Sequence, residues 1–106
     1  VGLASANTEP KKMEKSGFHL TKSQFVNAPL IDELPVAMEC KLVKINEDGN
    51  VIGEIVNVSA DESVLGEDGT IDFAKFRPIS FEPVHSGYHV LGERVGNAFQ
   101  DGAALK

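Results

Sequence analysis

Apolar and polar residues alternate most regularly between Val36 and Val58, and this stretch predicts the element that the remaining segments must pack on. In residues 36–42, Val36, Met38, Cys40 and Leu42 fall on one side of an extended chain, with Glu39 and Lys41 on the other. Val43 and Ile45 break the alternation, which predicts a bulge or a strand buried on both faces. After Asn46-Glu47-Asp48-Gly49-Asn50, a second run places Ile52, Val56 and Val58 on one face, and Gly53 and Ile55 on the other. Asp-Gly between two such runs signals a hairpin, because glycine takes positive φ at little steric cost. Gly53 marks a point where another backbone or a ligand comes close. A lone hairpin is marginal in water, so other strands are expected to cover it.

The flanking segments carry weaker patterns. Asn7 or Thr8 is positioned to cap a helix that starts with Glu9-Pro10, runs through Lys11, Lys12, Met13 and Glu14, and stops at Gly17. Residues 18–21 alternate and read as a strand, whereas residues 27–31 read as a short helical turn closed before Pro35. Residues 59–65 predict a single turn, and residues 67–69 another. Asp72 caps a brief helix over Phe73 to Phe76, closed by Pro78. Residues 79–81 and 88–91 read as strands joined by a loop, residues 94–99 as a last turn, and residues 101–106 as a fraying end. The sum is mainly β with short helices in one domain, residues 1–106, suited to a small barrel or sandwich. The opening Val-Gly-Leu-Ala-Ser lacks an initiator Met, which is expected of the inside of a longer polypeptide or of a trimmed product, and residues 1–6 read as the tail of an element whose beginning is absent.

Composition narrows the function classes. The chain has 106 residues, 42% hydrophobic and 25% charged, as expected of a globular domain. A net charge of −6, with basic residues scattered rather than interleaved with aromatics, argues against a nucleic-acid backbone as partner. The single cysteine excludes an internal disulfide and fits a reducing compartment; as a mid-strand residue Cys40 is expected to be a buried, inert thiol. No apolar run is long enough to span a membrane, and the start lacks signal-peptide regions, so the expected location is the cytoplasm.

Candidate chemistry is sparse. His85 and His89 span a loop-to-strand transition without a second cluster, which argues against zinc or iron. The serines lack a Gly-x-Ser-x-Gly elbow, and no catalytic residue can be assigned. Residues 5–8 ahead of a helix, with Lys12 in its first turns, form a candidate anion site, since free backbone N–H groups and lysine both favour phosphate. Ordinary capping and solvation explain the same residues. Phe81 and Tyr88, beside Gly87 and Gly92, read either as core aromatics or as the wall of a planar-ligand pocket.

The order of short motifs supplies a further expectation. Lys12-Met13-x-x-x-Gly17-Phe18, Ala28-Pro29-Leu30-Ile31, Glu39-Cys40-Lys41-Leu42, Ile52-Gly53-Glu54-Ile55, residues 61–65 and Asp68-Gly69 follow one another in the order of the flavin reductase-like, or flavoredoxin, family. The closing Phe81-x-Pro83-x-x-x-x-Tyr88-x-x-Leu91-Gly92-x-x-x-Gly96-x-Ala98-Phe99 also resembles that family. The resemblance covers nearly the whole chain and corresponds to the C-terminal portion of such proteins, without their first barrel strands. It implies antiparallel strands forming part of an FMN-binding split β-barrel, usually a homodimer with flavin near the subunit interface. It also implies electron transfer from NAD(P)H or another carrier through FMN. By the same resemblance Lys12 approaches the FMN phosphate and Phe81 the isoalloxazine ring, with Ser5 and Tyr88 in matching segments. Many members have a longer central hairpin carrying a histidine, where this chain has Asp48 or Asn50, and a carboxylate there repels a phosphate. FMN binding by these residues alone is therefore expected to be impaired. The alternative expectation is a non-catalytic β module that covers its open edges by self-association.

Overall fold

The computed structural model describes residues 2–106; the expectation for the opening segment, residues 1–6, lies outside them at its first residue. The chain forms two compact units, Val1–Ser63 and Val64–Lys106. All named strand pairs are antiparallel and the helices are short, the mainly β architecture expected from the pattern.

In the first unit, helix α1 is Lys12–Ser16, strands β1 and β2 are Leu20–Lys22 and Pro29–Ile31, and β3 and β4 are Val36–Ile45 and Val51–Ala60. Strands β3 and β4 form the expected hairpin, with register shifts at Glu39/Cys40 and Leu42/Lys44. The second shift is the bulge that Val43 and Ile45 foretold. The first leaves Val56 unpaired in β4. The expectation for Cys40 is corrected: the thiol is exposed, not buried, because the face it shares with Met38 is open, Met38 being 60% exposed, and Glu39 on the other face is the buried residue. Gly53 is a point of close approach, as anticipated. A Cβ there would stand 3.2 Å from the Cβ of Cys40 and 3.5 Å from the Lys41 carbonyl oxygen.

Residues 27–31 are not a helical turn. Pro29, Leu30 and Ile31 form β2 and pair with Lys22, Thr21 and Leu20. Proline is tolerated at the first residue of an edge strand, and Leu30-Ile31 favours extended backbone. Helix α1 also starts later than expected, at Lys12, and its capping residue Lys11 makes no side-chain cap bond. Gly17 ends it as expected, with φ 77° and its N–H donated to the Glu14 carbonyl.

In the second unit, α2 is Phe73–Phe76, and β5 and β6 are Ile79–Glu82 and Gly87–Val90. The Asp72 carboxylate caps α2 by accepting from Ala74 N at 2.8 Å. A 3-10 turn at Glu62–Val64 bridges the boundary of the two units in sequence, and Val64, at 5% exposure, is the buried apolar residue among those described. The exposed chain end, expected as a fraying segment, carries turns. Residues 98–102 turn and Ala103–Leu105 form a 3-10 turn, organised by Asp101, whose carboxylate accepts from Asn97 N at 2.7 Å.

Candidate functional site

Of the residues singled out in the sequence, Phe81 and Tyr88 are brought together in the second unit, and in the first Lys12 bonds the residue that precedes Ser5. In the first unit Lys12 is half-buried and its Nζ donates to the Ala4 carbonyl at 2.9 Å, beside Ser5. The turn around Ser5 is closed on itself. The Ser5 carbonyl accepts from Thr8 N at 3.1 Å and Glu9 N at 2.8 Å, and Ser5 Oγ accepts from Asn7 N at 3.2 Å. These N–H groups, which residues 5–8 were expected to offer to an anion, are therefore already bonded. The five-residue helix behind them begins four residues after Thr8. What the turn offers an anion is the Lys12 ammonium, with donors left beyond its bond to Ala4.

In the second unit Phe81 and Tyr88 are cross-strand partners, with ring centroids 5.6 Å apart and ring planes inclined by 59°. That separation lies within the favourable range for aromatic pairs. The rings are 55% and 71% exposed. Ile79 and Val90 continue the same face by the two-residue period of the strands. The result is an exposed aromatic and aliphatic face rather than a packed core. The opposite face carries Ser80, Glu82 and His89, and the Glu82 carboxylate holds the intervening turn through Val84 N and His85 N at 2.9 and 3.0 Å.

The sequence reading missed a buried polar cluster in the first unit. Glu39 is 4% exposed and Ser23 5%. Ser23 Oγ donates to one Glu39 carboxylate oxygen and Asn57 Nδ2 to the other. Ser23 Oγ in turn accepts from Phe25 N and Val26 N, each at 3.0 Å. The Ser23 hydroxyl, and after it the Asn57 amide, hold the Glu39 carboxyl below the usual glutamate range, against the opposing effect of desolvation. No local motif announces this cluster, because 16 and 18 residues separate the partners. Glu39 on the polar side of an alternating strand was the one available signal.

A cleft of about 720 Å3 in the second unit runs between residues 66–77 and 90–94. Its lining mixes Arg77 and Arg94 with Asp68, Asp72 and Glu93. Two of these acids are already engaged, Asp72 in capping α2 and Asp68 with Thr70 N at 3.0 Å.

No family model matches the chain. A relative from Aquifex aeolicus, an uncharacterized protein, is 34% identical over 74 residues, 67% of this chain and 38% of its own. Among solved structures, flavoredoxin of Desulfovibrio vulgaris (Miyazaki F) is 38% identical with a TM-score of 0.80, over 86% of this chain and 50% of that one. Flavoredoxin from Methanosarcina acetivorans is 25% identical with a TM-score of 0.81, over 98% of this chain and 55% of that one. An FMN-binding domain of a flavin reductases-like enzyme from Shewanella baltica OS155, 21% identical with a TM-score of 0.70 over 92% of this chain and 54% of that one, shares the fold. The chain thus fits the flavin reductase-like family, and it spans about half the length of the solved chains it matches.

Proposed function

We propose that this chain is the FMN-holding C-terminal portion of a flavin reductase-like oxidoreductase, impaired in FMN binding when it stands alone. The observation that carries the reading is the likeness to a flavoredoxin at 38% identity over 86% of the chain. In the second unit, an exposed aromatic pair on one hairpin face suits a planar ring, which supports the reading of Phe81 as an isoalloxazine neighbour with Tyr88 beside it. In the first unit, a lysine with spare donors suits a phosphate, which supports the reading of Lys12 as a phosphate neighbour, with Ser5 in the adjoining turn. The phosphate end is thin: the neighbouring N–H groups are engaged, and the Glu9 carboxylate stands in the same turn. When bound, FMN supplies one- and two-electron redox chemistry, and the protein groups orient the ring and screen it from water. NAD(P)H or another carrier is the electron source in this reading, and a second copy of the chain is the partner.

The test is titration of the 106-residue chain with FMN, followed by flavin fluorescence and the visible spectrum. Saturable binding weaker than about 1 μM, further weakened by both Phe81→Ala and Lys12→Ala, is expected. Tight stoichiometric binding overturns the impairment, and no response up to about 1 mM overturns the flavin assignment of these residues.

A second reading, a non-catalytic β module that covers itself by self-association, draws on the exposure of the β3–β4 hairpin. Met38, Leu42, Val43, Ile45, Val51 and Ile55 are each more than half exposed. A chain that associates without any response to FMN distinguishes this reading from the first.

A further inference from the structure

Asp-Gly occurs three times in the chain, at Asp48-Gly49, Asp68-Gly69 and Asp101-Gly102. In such a pair the glycine nitrogen can attack the side-chain carbonyl carbon of the aspartate, because no Cβ on the glycine blocks the approach. A fold can withhold two things that the reaction needs. The glycine N–H must be free to give up its proton. The carboxyl must be free to turn and to protonate, since an ionised carboxylate is a poor electrophile.

In two of the three pairs the fold occupies the nitrogen. Gly49 N donates to the Asn46 carbonyl at 2.9 Å, and Asn46 N closes the same turn onto the Asn50 carbonyl at 2.9 Å. The Asp48 carboxylate there accepts from Asn50 N and Asn50 Nδ2 at 3.1 and 2.8 Å. Gly69 N donates to the Gly66 carbonyl at 3.0 Å, and Gly66 N closes that loop onto the Thr70 carbonyl at 2.8 Å. The Thr70 N–H, and after it the Thr70 hydroxyl, hold the Asp68 carboxyl below the usual aspartate range, so it stays ionised. Gly102 differs. Among the described residues its N–H meets no acceptor, although Gln100 N, Asp101 N and Ala103 N around it are all bonded. What restrains this pair is the hold of Asn97 on the Asp101 carboxylate, through Asn97 N at 2.7 Å and Asn97 Nδ2 at 3.3 Å. Asp101 and Gly102 are exposed, so water reaches them.

We propose that Asp101-Gly102 is a self-modification site, at which the folded chain forms a succinimide and then a β-linked aspartyl residue. Gly102 N loses its proton to solvent, bonds to Asp101 Cγ and expels a carboxyl oxygen as water. Water then adds to the main-chain carbonyl carbon of Asp101 and breaks its bond to Gly102 N, which leaves Gly102 attached through Cγ. The water lost in the first step returns in the second, and nothing is oxidised or reduced. The product has one more methylene in its backbone and its carboxylate on the α-carbon, which displaces the acceptor of Asn97 N and opens the turn at residues 97–102. The site uses none of the residues assigned to flavin.

The test is incubation of the folded chain at neutral pH, below its melting temperature, then trypsin digestion and electron-transfer fragmentation, which tells β-linked from α-linked aspartate. Trypsin separates residues 95–106 from residues 45–75, which hold the other two pairs. Conversion at Asp101 is expected to be at least about threefold faster than at Asp48 or Asp68, the factor that an ordinary hydrogen bond to the glycine N–H imposes. Gly102→Ala is expected to suppress it. A Cβ there meets nothing within 4 Å, and φ −91° suits alanine, so the fold stays in place. In denaturant the three pairs are expected to react at similar rates, because the preference belongs to the fold. Equal or faster conversion at Asp48 or Asp68 in the folded chain overturns the proposal. So does an Asp101 that stays α-linked, a rate that Gly102→Ala leaves unchanged, or the same ranking of sites in denaturant.

Discussion

Glu39 is the residue on which the first unit turns. A carboxylate left with 4% of its surface has lost its water, and two donors from distant segments replace it. The sign of the pH dependence follows from the direction of its shift. A carboxyl whose pKa is lower folded than unfolded stabilises the fold above the unfolded value, and that stabilisation is lost as pH falls through the folded one. Ser23→Ala removes the larger cause. It is expected to move the Glu39 titration, read by carboxyl-carbon NMR, up toward the ordinary glutamate range. The same substitution is expected to speed amide exchange at Phe25 and Val26, which lose their acceptor. Urea midpoints of wild type and variant should differ most at pH 7 and less below the carboxylate range, where the part due to the Glu39 charge is gone and the loss of the Phe25 and Val26 acceptor remains. An unchanged Glu39 titration would contradict the assigned role of Ser23.

Among the elements, those with a complete local signature were legible in the sequence. Asp72 ahead of Phe73, with Pro78 beyond, specified α2, and the side-chain cap is present. Asp72→Ala is expected to cost the second unit about 1 kcal/mol in a urea melt, and Asp72→Asn much less, since asparagine retains the acceptor. Equal losses from both would mean that the cap does not stabilise α2. The β3–β4 hairpin was legible for the same reason, with turn chemistry and two alternating runs agreeing. Failures fell where two local codes compete. Asn27-Ala28-Pro29 reads as turn chemistry, but pairing with β1 settled the segment as a strand. Asn7 and Thr8 resemble helix caps, but their backbone N–H groups turned back to Ser5 and the helix began after them. Cys40 shows a further limit of alternation. Period two places it beside Met38 but does not say which face is covered: both residues are exposed, and Glu39 on the opposite face is the buried one. Of the candidate site, the residue types were legible, and the bond from Lys12 to Ala4 and the pairing Phe81–Tyr88 required the fold. The Ser23–Glu39–Asn57 cluster left only the place of Glu39 on its strand as a sign, because its partners are 16 and 18 residues apart.

At the scale of the whole molecule, exposed apolar side chains decide what the chain requires. Met38, Leu42, Val43, Ile45, Val51 and Ile55 on the β3–β4 hairpin, and Ile79, Phe81 and Tyr88 in the second unit, each keep more than half of their surface, and contiguous apolar faces of this kind favour association. The chain spans about half the length of the solved relatives. Met38 and Val58 face each other across β3 and β4 at 60% and 50% exposure, and a charge on each would make covering that face unfavourable. On its own, therefore, the chain is expected to elute from a sizing column with light scattering above the 11.4 kDa monomer mass. Met38→Glu/Val58→Glu is expected to shift it toward the monomer. A wild-type chain that stays monomeric at about 100 μM and binds no hydrophobic dye would show that the exposed faces are stable in water without a partner.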